Sequence, residues 1–513
     1  MQGRKEIQPK MMYQVSLIDL VSEDNFYRQL DKILDLNFLY KATAMYYGKE
    51  GQESIDPVVF FKICLVGYLN NINSDRRLIE YCSNCLDVRL YIKYDIDEPL
   101  PWHSTISRTR QLYSEKVFLS LFQKVLSLCV EKGMVRGKRQ AVDSAYIKAN
   151  ASMDSLQEKE IIDDVEQYAN ELNEGSDYKV KQSVKKAVER HHAWKAEEYK
   201  GMPGHVDNPK QEDENGILIR PKFLSNHTHY SPTDPDAKIS TKPGKARQLN
   251  YAGQIAVDDA HHVITGACAS CAGNRDSQNL TEILNQTIAN LNQNDILIDQ
   301  VAADAGYSSG EALVFCEQNN IDAYIPNFGQ YKAEREGFQY LKLENYYQCT
   351  KQGGNQAKLL FKGERTDSKV YTKKTYRSSE SDCKNCPLRQ QCCGAVTKFK
   401  KIDDSIDKPY YDRMHQKLKT NQQYAKKISR IRSRTVEPVL GTLINFINMK
   451  RLNSRGMKSA NKHVMLSALC YNLKKLIKFN RPKLEIKVQI IQTKVEKLIF
   501  LLKRHFQKLT FQF

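Results

Sequence analysis

The stretch Arg139-Gln-Ala-Val-Asp143-Ser-Ala-Tyr-Ile-Lys-Ala149 sets a single acid inside a run of small and apolar residues. In an extended chain alternate side chains share a face, so the pattern predicts a strand with Asp143 on the side of Ala141 and Ala145. A carboxylate buried there without a partner is costly, and the fold must supply a cation, a donor or water. Taken alone, the simpler account is a strand-end acid that binds backbone amides. Its company in the chain changes that account.

Downstream, Tyr251 to Val257 and His262 to Ala269 are apolar runs around Asp258-Asp259-Ala260-His261, a hairpin signal. Gly273-Asn-Arg-Asp-Ser277 breaks the chain ahead of a helix predicted over Gln278 to Leu291. Ile296 to Asp304 reads as a buried strand ending on an acid, followed by the turn Ala305-Gly306-Tyr307. Ser308 and Glu311 form a capping box for a helix running to about Asn319, and Ala323 to Pro326 is a further short strand. Strand, hairpin, helix, strand, helix, strand is a mixed α/β sheet, which would set Asp143 and Asp304 on neighbouring strands. A third acid lies in Arg430-Ile-Arg-Ser-Arg-Thr-Val-Glu437-Pro-Val-Leu-Gly441. Proline belongs in a first helical turn, so Pro438 predicts a helix starting near Thr435 with Glu437 in that turn. Val436, Val439, Leu440, Leu443 and Ile447 make its buried stripe. By itself Glu437 would merely offset the helix dipole. Around it, however, stand Arg430, Arg432, Arg434, Lys450, Arg451, Arg455, Lys458 and Lys462, a surface suited to holding phosphate.

A chain of 513 residues exceeds one hydrophobic core, so two to four domains are expected. The divisions fall at 1–130, a helical N-terminal domain; 131–330, the first part of the α/β core, with a charged insertion at about 150–247; 331–412, a polar insertion; 413–480, a basic helical part with the third acid; and 481–513, a basic amphipathic tail. Lys and Arg outnumber Asp and Glu by 78 to 60, a net charge of +18 that favours a polyanionic partner, nucleic acid before acidic membrane. No run approaches the roughly 18 apolar residues of a membrane span. The start lacks a secretory signal, and the expected location is the cytosol. In the first domain, Ser104 or Thr105 can cap a short helix presenting Arg108 and Arg110, like the second helix of a helix-turn-helix; Trp102 and His103 read as packing and capping residues. Tyr178 to Arg190 is a basic helix, and His227 to Asp236 is a loop in which prolines and turn-forming Asp favour rigidity over metal binding. Thirteen cysteines fit a reducing compartment. Cys82 and Cys85 read as helix thiols. Cys349, Cys383, Cys386 and Cys392 can close a structural zinc site; reduced, unligated thiols are the alternative.

Three acids on two strands and a helix, in a basic protein, suit metal-assisted phosphodiester cleavage. Magnesium needs only one or two carboxylates per ion, and two ions about 3.5 to 4 Å apart can serve an in-line displacement. The sequence resembles a DDE transposase of a bacterial insertion sequence, most similar to the insertion sequence 1182 branch. The motifs are Asp143-Ser-Ala-Tyr-Ile-Lys-Ala-Asn, Ser231-Pro-Thr-Asp-Pro-Asp-Ala237, Gln254-Ile-Ala-Val-Asp258, Ala303-Asp304-Ala-Gly-Tyr-Ser308, the Cys383 cluster, and Arg434-Thr-Val-Glu-Pro-Val-Leu-Gly441 followed by Arg455-Gly. They span about Leu36 to Leu476. The resemblance implies an RNase H-like core and a triad of Asp143, Asp304 and Glu437 holding two magnesium ions, or manganese. It further implies strand cleavage and transfer at terminal inverted repeats of double-stranded DNA, into a target DNA, by a homodimer. A catalytically inactive DNA-binding derivative and a nuclease that only hydrolyses DNA are the alternatives. The chain departs from related transposases around the third acid: where they often carry Arg four before the Glu and Lys seven after it, this chain has Ser433 and Ile444. Arg432 or Arg434, and Lys450 or Arg451, are the substitutes expected. The tail after Arg481 also runs past the usual end.

Overall fold

The computed structural model describes residues 16–48, 50, 54–158, 211–212, 218–219, 225–226, 229–240, 247–329, 331–366, 371–394 and 396–480. The basic helix expected at 178–190, the first two residues of the 227–236 loop and the tail at 481–513 lie outside these.

Residues 17–131 form helices α1 (Leu17–Leu20), α2 (Phe26–Ile33), α3 (Phe38–Thr43), α4 (Pro57–Leu69), α5 (Asp75–Asn84), α6 (Leu86–Ile92), α7 (His103–Leu112) and α8 (Glu115–Glu131). Their centre is α4, apolar on all sides: every residue except Val58 and Val59 is buried. A helix with no polar face needs neighbours all round. It starts sharply because Pro57 occupies the first turn and the Asp56 carboxylate accepts the Val58 and Val59 amides at 2.6 and 3.2 Å.

The α/β part is one mixed sheet: β1 (Arg139–Lys148), β2 (Lys238–Ser240), β3 (Gln248–Asp258), β4 (Ile264–Cys271), β5 (Gln300–Ala302) and β6 (Asp322–Tyr324). Its order is β6-β5-β1-β3-β2, with β4 also on β3. β1, β3 and β4 run antiparallel in succession, while β5 is parallel to β1 and β6 to β5. Helices α9 (Leu280–Asn292) and α10 (Gly310–Gln318) link β4 to β5 and β5 to β6. Alternation divides the strands between two cores. Ala141, Ala145, Ile147, Tyr251 and Ile255 pack with α8 and the C-terminal helices; Val142 and Ala256 pack with Leu280, Ile283 and Leu313 of α9 and α10. Asp143 thus shares the face of Ala141 and Ala145.

The insertion after β6 is a second, antiparallel sheet of five strands in chain order: β7 (Phe338–Leu341), β8 (Tyr346–Cys349), β9 (Lys358–Thr366), β10 (Thr372–Ser378) and β11 (Lys401–Ser405), with short helices α11 (Glu380–Lys384) and α12 (Arg389–Cys393) before β11. Its apolar core is small, centred on Tyr347, Leu359, Tyr376 and Ile402. The chain returns to the first sheet through α13 (Lys408–Thr420), α14 (Gln422–Phe446) and α15 (Met457–Asn480).

Two local expectations need correction. Ser309, not Ser308, caps α10, accepting the Ala312 amide at 3.1 Å. Pro438 does not open a helix: α14 runs through it, so Glu437 sits mid-helix and the dipole argument lapses. Proline forfeits a backbone bond there, but the buried stripe of Ile428, Thr435, Val436, Val439, Leu440 and Leu443 holds both halves of α14.

Helix α15 joins the helical domain to the sheet. Asn472, fully buried, places its side-chain amide on the edge of β4, accepting Ile264 N–H at 2.9 Å and donating to Ile264 C=O at 2.8 Å. Asp234 and Asp236, in the proline-bearing loop, accept the Gly456 and Met457 amides at 3.1 and 2.8 Å where α15 begins. His463 meets Tyr68 of α4, Nδ1 to hydroxyl, at 2.6 Å. Burial, reinforced by the nearby Arg110 charge, pushes the His463 imidazole down to about 4. The folded chain therefore resists a proton that the unfolded chain accepts near 6.5, so stability is complete above that pH and declines as pH falls towards 4. The expected loss is on the order of 3 kcal/mol by pH 4 from this residue. Urea unfolding of His463→Gln, which keeps an acceptor for Tyr68, should show a flatter midpoint profile between pH 6.5 and 4 than the parent; matching profiles would remove His463 as the source.

Candidate active site

Parallel pairing of β1 and β5 sets the geometry. Arg139 lies opposite Gln300 and Ala141 opposite Ala302, so two residues on, Asp143 and Asp304 continue the two strands side by side. Asp304 leaves the sheet as the N-cap of the turn Ala305–Tyr307, its Oδ1 accepting the Gly306 amide at 2.8 Å. Asp143 Oδ1 accepts the Ser144 amide at 2.8 Å, and Oδ2 accepts Arg432 Nη1 at 3.0 Å. Arg432 reaches down from α14, and its Nη2 lies 3.8 Å from Glu437 Oε1.

The electrostatics follow from that packing. Burial raises the Asp143 carboxyl above the ordinary carboxylate range and the Asp304 charge pushes the same way, while the Ser144 amide and the Arg432 guanidinium pull it back. Arg432 is only 13% exposed along its side chain and Asp143 19%, whereas Glu437 is 60% exposed. Asp304 and Arg432 line one cleft of about 490 Å³ with Tyr324, Pro326, His415, Lys419 and Lys426. Asp143 and Glu437 are thus arranged about the Arg432 guanidinium, and Asp304 shares its cleft. Among the described residues, no three of His, Cys, Asp or Glu are gathered as a metal-holding group.

The cations expected on nucleic acid divide in two. Arg108, Arg430, Arg434, Lys450, Arg451, Arg455 and Lys458 are exposed. Lys450 and Arg451 are fixed alongside the far end of β1, because the Lys148 amide donates to Lys450 C=O at 3.1 Å and the Leu452 amide to Lys148 C=O at 2.9 Å. The other three have internal roles. Arg110 is buried in a two-pronged pair with Asp75 at 2.9 and 2.7 Å. Lys462 is buried, donating to Arg110 C=O at 2.9 Å above the Phe118 ring. Arg432 faces Asp143. Correspondingly, α7 starts at His103 with Trp102 as N-cap and no side-chain cap from Ser104 or Thr105. Its Arg110 face turns into the domain, and Trp102 is 77% exposed rather than packed.

Cys349, Cys383, Cys386, Cys392 and Cys393 line one small pocket between β8 and helices α11 and α12, with Lys351, Arg389 and Lys400 around them. All thirteen cysteines are free thiols. Cys82 is buried in α5, its thiol pushed up to about 12 by burial, which agrees with a helix thiol. What the sequence reading missed is a set of polar side chains behind the two strand acids, namely Ser144, Gln254, Asp276 and Tyr307. The only trace in the sequence was an acid in the turn after the hairpin.

Comparison with known proteins gives two matches. Residues 15–112, covering α1 to α7, match a family model described as a transposase domain, DUF772. Residues 349–477, from the end of β8 to α15, match a family model described as a transposase DDE domain; that span includes Glu437 but neither Asp143 nor Asp304. No curated protein matches. Together and in this order, the two matches support a DDE transposase of an insertion sequence.

Proposed function

We propose that this transposase cuts DNA at the terminal inverted repeats of its element and transfers the freed 3′ ends to a target, with Asp143, Asp304 and Glu437 as its acidic triad, and that it belongs to the insertion sequence 1182 branch. The observation that carries the reading is the placement of Asp143 and Asp304 in step on parallel strands. An RNase H-like core is supported by the strand order, three antiparallel strands followed by two parallel to the first. The donor set suits magnesium or manganese, since its groups are hard carboxylate oxygens. Burial and the Asp304 charge already strain Asp143 as an anion, the condition a cation relieves. Asp143 and Asp304 would hold the ion, with Glu437 completing the set; when bound, it supplies charge stabilisation at the reacting phosphate.

The chain's own residues position the DNA. Arg430, Arg434, Lys450 and Arg451 offer cations on and after α14, and Arg432 lines the cleft beside Asp304 while its guanidinium bonds Asp143. Arg432 and Arg434 on one side, and Lys450 and Arg451 on the other, take the parts left open by Ser433 and Ile444. A homodimer is the expected working form, because two element ends must be joined together. The second reading, a nuclease of the same fold, shares every residue named.

We infer that Cys349, Cys383, Cys386 and Cys392, which line one pocket without being drawn together into a metal-holding group, close on a structural zinc ion when it binds. The sheet around it has little apolar core, the setting in which a metal staple contributes most to folding.

Four outcomes are expected. A donor plasmid carrying the element's ends should give joined products with the wild-type chain; nicks alone would support the nuclease, and a shifted band without cutting the inactive binder. Asp143→Asn, Asp304→Asn and Glu437→Gln should each lower cleavage by more than the roughly 100-fold typical of outer-shell changes at metal sites. DNA binding should stay near wild type, and near-normal cleavage by any one would remove that residue from the triad. Salt titration separates the two classes of cation: Arg434→Ala or Arg451→Ala should reduce the slope of log affinity against log salt by about 0.9 each. Arg110→Ala should leave the slope alone and lower stability by about 3 to 5 kcal/mol, as expected for a buried charge left without its partner. The purified chain should also hold about one zinc ion, lost in Cys383→Ser; a metal-free chain with all its thiols reactive would contradict the zinc site.

A further inference from the structure

Behind the two strand acids runs a continuous hydrogen-bonded path. Ser144, next to Asp143 on β1, donates its hydroxyl to Asp276 Oδ1 at 2.8 Å. Asp276 opens the turn Asp276–Gln278 after β4, and Gln254 Nε2 approaches the same oxygen at 3.5 Å. Gln254 is fully buried on β3 directly opposite Ser144, and its Oε1 accepts the Tyr307 hydroxyl at 2.6 Å. Tyr307, also fully buried, closes the turn that Asp304 caps. The other Asp276 oxygen faces that turn as well: a Cβ on Gly306 would lie 3.7 Å from Asp276 Oδ2 and 3.0 Å from Asp304 Oδ1. Asp276 therefore touches both segments that bear the strand acids, through Ser144 on one side and through Gln254 and Tyr307 on the other.

We infer that Asp276 is a positioning residue of the DNA-cleaving site, holding the Asp143 and Asp304 segments at a fixed separation through Ser144, Gln254 and Tyr307. The inference rests on the proposed reaction. The physical basis is that ligand side chains bind a metal tightly only when their own orientation is fixed by further hydrogen bonds, and loss of such a partner typically weakens metal affinity or activity by 10- to 100-fold. Neither Asp143 nor Asp304 has another side chain among its hydrogen-bond partners apart from Arg432, in the contacts that the described residues show. Fixation of the two backbones, rather than of the carboxylates, is what Asp276 provides.

The test uses the full chain with Asp276→Ala, Asp276→Asn and Ser144→Ala. Manganese binding is read from the loss of the free-ion paramagnetic resonance signal, nicking of a plasmid carrying the element's ends from its dependence on manganese concentration, and folding from the thermal midpoint. Asp276→Ala should weaken manganese binding and raise the manganese needed for half-maximal nicking by about 10- to 100-fold, with DNA affinity unchanged. Asp276→Asn, which keeps an oxygen for the Ser144 hydroxyl, should recover most of that loss, and Ser144→Ala should shift both readings in the direction of Asp276→Ala. Wild-type manganese binding in Asp276→Ala, or a loss that follows the thermal midpoint and is not rescued by Asn, would overturn the assignment while the triad reading stands. A wild-type chain that neither binds manganese nor nicks would overturn both.

Discussion

Two carboxylates on adjacent parallel strands, one of them largely buried, are an arrangement that water alone does not stabilise. Each charge raises the free energy of the other, and burial of Asp143 removes the solvent that would screen them. The fold answers with Arg432, presented from α14 across the face that Asp143 shares with Ala141 and Ala145. Small side chains at 141 and 145 let α14 approach β1 closely, which brings the guanidinium within reach. The position of α14 in turn depends on Val436, Val439 and Leu443 packing below it, and hence on α15 and the helical domain beyond. Sheet, helix and acids form a single dependency.

The sheet was legible because its strands follow simple rules. β1, β3 and β4 are apolar runs separated by turn signals, and the acid at the end of the β5 segment was visible as the last residue before a Gly-containing turn. Elements set by local chemistry could be read to within a residue or two: the helix expected over Gln278 to Leu291 is α9, Leu280–Asn292. The second sheet could not. β9 reads Lys-Leu-Leu-Phe-Lys-Gly-Glu-Arg-Thr, three adjacent apolar residues and then polar ones, so it carries no period-2 signal, and only backbone pairing to β8 and β10 defines it.

The site was legible in its acids and not in its cations. An acid inside an apolar strand is improbable on its face, so Asp143 stood out. Arginine and lysine are common on surfaces, and composition cannot say which of them turn inward. Arg110 and Arg432 sit in sequence among exposed cations, yet each pairs with an acid remote in the chain, Asp75 at 35 residues and Asp143 at 289. Pro438 misled for a related reason. Its penalty is local, while the burial of Val436, Val439 and Leu440 that outweighs it comes from strands nearly 300 residues earlier. Asp276 was hidden because a turn is where Asp is expected for backbone reasons, and nothing near it in sequence reveals Ser144.

The internal cations bear on how a basic protein can be specific about where it holds DNA. A net charge of +18 draws a polyanion from any direction. Burying Arg110 and Lys462 inside the helical domain takes two charges out of that field and uses them to join α5, α7 and α15. The exposed Arg430 and Arg434 lie on α14, which carries Glu437, and the exposed Lys450 and Arg451 lie on the segment paired with the end of β1, the strand that carries Asp143. Attraction and the acidic site are thereby in fixed register, since neither α14 nor the 450–452 segment can shift without breaking the pairing to Lys148 or the Arg432 contact with Asp143. In the proposed reaction this register matters more than the total charge, because it fixes where a phosphate held by Arg434 or Arg451 lies relative to Asp143 and Glu437.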